Sequence, residues 1–172
     1  MTEAPTPRAR RKVAEAIRAR RGALAEEATA AVLVRHPDFL VRYGERAAQR
    51  GVEDALFHSD FLAAAVELGT PDAFAAYARW TAGVLAARGI ASELLAENLA
   101  DLEAALALDV DADSALVRAC VAAGKQACRE ATGHGAGAPE GGVASGVVGG
   151  SASTGRGGRR PASLGNTTMR MA

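Results

Sequence analysis

Aromatic side chains are scarce in this chain: one Trp, two Tyr and four Phe, or 4% of 172 residues. Together with the β-branched residues they are too thinly spread to build a sheet. An excess of charge of either sign is also missing. Lysine plus arginine equals aspartate plus glutamate at 20 each, and this balance argues against a dedicated nucleic-acid binder. Cysteine is limited to Cys120 and Cys128, eight residues apart in a helical pattern. That spacing is about 12 Å of helix rise, beyond disulfide reach within one helix. Both read as small buried hydrophobes, or as thiols of a reducing compartment, and no further ligands stand near them at metal-binding spacing. No run of 18 apolar residues occurs, so no membrane span is expected. The basic start leads into an amphipathic segment, not into the apolar core of a signal peptide, and the expected compartment is the cytoplasm.

What the chain has in quantity is alanine and, near its end, glycine. Hydrophobic residues make up 49%, with alanine, the best helix former, supplying much of that share. Such a composition favours close-packed helices, and the chain is long enough for one domain with a core. The expected fold class is all-α: an up-and-down bundle of four to five helices with a disordered glycine-rich C-terminal tail. Three segments are expected. Residues 1–22 form a basic, partly frayed helix start, 23–131 the helical bundle, and 132–172 a tail rich in Gly, Ala, Ser and Arg. Too few large side chains lie in that tail to offset its backbone entropy. Its Arg156-Gly157-Gly158-Arg159-Arg160 resembles an RNA-binding RGG segment in a single copy. The same composition is what a shifted reading frame yields in a GC-rich gene.

Punctuation places the helices. The stripe Val13, Ile17, Leu24, Ala28 and Ala31 predicts a first helix over Pro7–Arg35, ended by His36-Pro37. A short turn of helix follows around Asp38–Arg46. Gly51 is read as opening the next long helix, Val52–Leu68. Gly69 then suits a left-handed C′ position, Thr70 an N-cap and Pro71 a first helical position, which predicts a helix from Pro71 to Arg88. Gly89 closes it, Ser92 caps another that runs to Leu106, and a last helix spans Ser114–Glu130. The arginines from Arg8 to Arg21 face a single acid, Glu15, along their own segment. They read as a solvated helix start, or as a weak electrostatic contact for an acidic partner or nucleic acid.

The few aromatics cluster. His58, Phe61, Leu62 and Ala65 fall at the i, i+3, i+4, i+7 offsets of one helical face, on turns that also carry Phe57. Phe74, Tyr77 and Trp80 come at intervals of three on the next helix and sweep an arc of roughly 120°. Trp80 therefore lies toward the edge of the face that Phe74 begins. The cluster reads either as core or as a platform for a flat ligand or partner surface.

The order Arg42-Tyr43-Gly44, Glu53-Asp54, His58, Phe61-Leu62, Ala65, Phe74, Tyr77, Trp80, Leu85 and Arg88-Gly89 resembles the N-terminal helical domain of cobalamin-binding regulatory proteins, including the modular cobalamin-binding photoreceptors, and the cap of methionine synthase. It covers Leu24 to Leu106. The resemblance implies that aromatic residues of a bundle cover the upper face of a corrinoid, with Trp80 first and Tyr77, His58 and Phe74 behind it. It also implies a corrinoid-binding partner domain. That α/β module carries an Asp-x-His-x-x-Gly signature, which none of His36, His58 and His134 provides. Cobalamin would thus be capped by this chain but not held tightly by it alone.

No G-x-S-x-G elbow, P-loop or dinucleotide fingerprint is present. Glu93, Glu97 and Asp101 follow at i, i+4 spacing, but no glutamate has the histidine three residues later that a di-iron bundle needs, so they read as a solvated face. The expected function is a non-catalytic helical sensor or regulatory module. The alternative is a homo-oligomerising interaction bundle with no small-molecule ligand. The position of Trp80 separates a cap from a core-only bundle: a cap leaves it exposed beside an apolar patch, and a core-only bundle buries it.

Overall fold

The computed structural model describes residues 5–107 and 114–134, and the glycine-rich stretch from 135 onward lies outside the described residues. The described chain is all helical: α1 (Pro7–Arg35), α2 (Phe39–Tyr43), α3 (Arg46–Leu68), α4 (Pro71–Ala86), α5 (Ser92–Ala107) and α6 (Ser114–His134). None of these helices is long and apolar enough to cross a membrane.

The boundaries follow local chemistry. Thr6 caps α1 by accepting from the Ala9 amide, with Pro7 just inside. α1 runs unbroken across the expected boundary at residues 22 and 23. Val13, Ala14 and Ile17, from its basic start, lie in the core. Gly69 adopts the left-handed conformation (φ 73°) that ends α3, and Thr70 stands at the N-cap of α4 without a side-chain cap bond. Gly51 does not open a helix; α3 has already begun at Arg46. A glycine is needed there because an added methyl would meet Thr29 Cγ2 of α1 at 3.0 Å.

Packing does not follow chain order throughout. α1 lies along α3 and α5, α6 lies along α4 and α5, and the sequence neighbours α4 and α5 touch only lightly. The core between them is built from Ile17, Leu24, Leu62, Phe74, Leu99 and Leu102, with alanines filling the gaps. Where α4 meets α6 the backbones come close: a methyl on Gly124 would sit 2.9 Å from the ring of Phe74 and 3.3 Å from Leu99. Cys120 and Cys128 are both buried thiols on α6, and burial pushes the pKa of each up to about 11.

The acidic row on α5 is more than a solvated face. Arg35 at the end of α1 donates to both Glu97 (3.2 Å) and Asp101 (3.0 Å), and His36 Nε2 lies 2.7 Å from Glu97. These contacts tie the C-terminus of α1 to α5, and they hold the Glu97 carboxyl below its ordinary value.

Candidate functional site

The 3.6-residue period of α3 puts Phe57 and Phe61 on one outward stripe, one turn apart. The same period on α4 turns Phe74 inward, Tyr77 to the boundary and Trp80 outward. The structure accordingly leaves Phe57 and Phe61 about half exposed (48% and 47%) and Trp80 mostly so at 65%. Phe61 and Tyr77 stack at 3.9 Å with ring planes 12° apart, and Trp80 follows at 6.4 Å from Tyr77. The result is a continuous aromatic face across α3 and α4, extended along α3 by exposed Leu68. Exposed apolar side chains gathered in this way mark an interaction surface more often than scattered ones do.

Beneath the face sits a buried polar pair. His58 Nδ1 lies 2.7 Å from the Tyr77 hydroxyl, and both residues are buried. Burial lowers the imidazole to about 4, and burial raises the Tyr77 phenol to about 12. The bond therefore joins two neutral groups at neutral pH. A buried hydrogen bond of this kind fixes the Tyr77 ring against rotation and so fixes the surface that Phe61 stacks on.

Of the four residues expected to face a ligand, the structure exposes Trp80, while Tyr77 is buried beneath the stacked Phe61 ring. His58 serves as the anchor behind Tyr77. Phe74 is fully buried against Gly124 and Leu99, so it supports the face from inside and does not reach it. Phe57 and Phe61 complete the surface. Their i, i+4 spacing was visible in the sequence, but their outward direction was not.

Other chemistry is sparse. No cluster of three metal-ligating side chains occurs among the described residues. Several of the N-terminal arginines are paired with acids of α3. Arg18 and Arg11 reach Glu67, and Arg21 donates to Asp60 at 2.7 Å. His58 also lines a half-open cavity of about 340 Å³ bordered by α1, α2, α3, α5 and the end of α4 with the turn after it.

The chain matches no protein-family model, no curated protein and no solved structure.

Proposed function

We propose that the chain is a non-catalytic helical regulatory module of the cytoplasm that works by laying its Phe57–Phe61–Trp80 face, backed by Tyr77, over a flat ligand. The likeness to the cap of cobalamin-binding regulators supports a corrinoid as that ligand, presented by a partner domain. The observation that carries the reading is the exposure of Trp80, 65% in a bundle with few large side chains to spend on burial. Stacked rings with a rigid hydrogen-bonded base give a flat, apolar contact at low entropic loss. The test is Trp80 fluorescence of the full chain, titrated with adenosylcobalamin and methylcobalamin and corrected for their absorbance. Saturable quenching is expected, together with loss of binding in Trp80→Ala as read from the absorbance of cobalamin itself. Unchanged emission at saturating corrinoid removes the ligand-cap reading.

A second reading rests on the breadth of the same face. Phe57, Phe61 and Leu68 on α3 and Trp80 on α4 offer an apolar surface to a second copy of the chain. Sedimentation velocity of the wild type against Phe61→Ser and Trp80→Ser decides it: a dimer that both substitutions dissociate supports self-association, and a wild-type monomer excludes it.

A further inference from the structure

Close packing leaves few voids larger than a water molecule in a protein interior. The half-open cavity beside His58 is far larger, about 340 Å³, at the lower end of small-molecule sites. Val32 and Leu33 of α1, Leu85 at the end of α4, Ile90 and Leu95 of α5 give it aliphatic walls. Water lying against such walls is released favourably when an apolar molecule takes its place. The polar groups of the lining offer little to an ion. His58 Nδ1 is bonded to Tyr77. At the rim, Arg88 and Arg50 both favour the charged form of Asp54, and Glu53 opposes it. Two charges of each sign thus offset one another where a ligand would enter.

One wall is held less firmly than the others. α2 lines the cavity with Phe39 and Tyr43, whose rings lie 4.7 Å apart. It is five residues long, has no buried residue and rests mainly on α3. His36-Pro37 precedes it and Gly44 follows it, the glycine at φ 84°, a conformation that side chains rarely adopt. Tyr43 donates to the Gly89 carbonyl, but at a long 3.4 Å. A segment that buries so little moves at low cost while the long helices stay fixed.

We propose that the cavity takes an uncharged, apolar ring compound and that α2 is the lid that closes Phe39 and Tyr43 over it. The aliphatic walls hold the ligand by contact alone, and the two rings of α2 stack on its exposed side. A rigid ring loses less freedom on binding than a chain of equal area. At about 30 Å³ per water-sized group, the volume admits on the order of eleven non-hydrogen atoms, the size of a naphthalene with one substituent. This site does not depend on the corrinoid-cap reading, because neither Phe61 nor Trp80 lines it.

The experiment titrates the full chain with 1-aminonaphthalene, uncharged at neutral pH, and follows the probe's own emission together with amide hydrogen exchange. Saturable one-to-one binding is expected, with exchange in α2 slowed about tenfold and more than in α4 around Trp80. Ala47→Phe, which fills the cavity from α3, should abolish binding, and Trp80→Ala should leave it unchanged. Leu33→Trp fills the same space from a partly exposed position should Ala47→Phe fail to fold. The anion 1-naphthoate should bind about tenfold more weakly, since it loses hydration without gaining an unmatched cation. Absence of binding at millimolar probe overturns the proposal. So does binding that survives both filling substitutions but is lost in Trp80→Ala, which would place the probe on the aromatic face. Tighter binding of 1-naphthoate would overturn the uncharged class of ligand, and saturable binding without slowed exchange in α2 would overturn the lid.

Discussion

Two aromatic residues on one helix, Phe74 and Trp80, have opposite surroundings. Phe74 is wedged where α4 and α6 approach so closely that a methyl on Gly124 has no room. Trp80, less than two turns along, is largely in solvent. The contrast extends to the regions around them. The α4–α6 seam leaves no room for a methyl at Gly124, while α1, α2, α3 and α5 border a half-open cavity of about 340 Å³. An alanine-rich chain has few large side chains to place. This one buries Phe74 and leaves Phe57, Phe61 and Trp80 largely in contact with solvent.

Breaking the seam should have the largest effect. Phe74→Ala removes a fully buried ring and is expected to destabilise the chain by about 4 kcal/mol in chemical denaturation, whereas Trp80→Ala should change stability by well under a quarter of that. Equal losses would erase the contrast. The anchor between the two regions comes next. His58 is neutral in the fold down to about pH 4, against an ordinary value of 6.5. The unfolded chain therefore takes up a proton first as pH falls. The stability tied to this group is complete above about pH 6.5, and about 3 kcal/mol of it is lost by pH 4. Urea midpoints compared between wild type and His58→Gln should isolate that slope, because other titrating groups cancel in the difference.

Glycine substitutions sharpen the comparison further. Gly124→Ala should destabilise by about 1–3 kcal/mol despite the better helix propensity of alanine, since the rigid Phe74 ring cannot withdraw. Gly22→Ala on α1, with open space around the site, should instead stabilise by about 0.5–1 kcal/mol. Thermal unfolding of the two variants should thus shift in opposite directions. The smallest effect is expected from Glu97→Gln, which loosens the α1–α5 tie. Because its partners are partly in water, the loss should stay below about 1 kcal/mol and shrink in high salt.

Much of the fold was legible because helix ends are written locally. His36-Pro37, Gly69-Thr70-Pro71 and Gly89 stop and start helices through their own backbone preferences, and the structure breaks where they stand. The aromatic cluster was legible for the same reason, since residues three and four apart on a helix must be neighbours. Contacts between distant segments were not. Gly51 read as a helix opener because the nearby Thr29 of α1 is invisible along the chain. Glu97 and Asp101 read as a solvated row because Arg35 and His36 are brought to them only by folding. The cavity depends on five elements at once, and no spacing rule within one helix announces it.

The two thiols of α6 give the molecule a clock. Only the thiolate attacks a disulfide reagent, and Cys120 and Cys128 are sealed in the core with their ionisation suppressed. Modification must therefore wait for α6 to lift away from its neighbours, and at high reagent concentration its rate becomes the rate of that lifting. Native cysteines two turns apart would thus time the breathing of α6 against the bundle, with no label added and no residue changed.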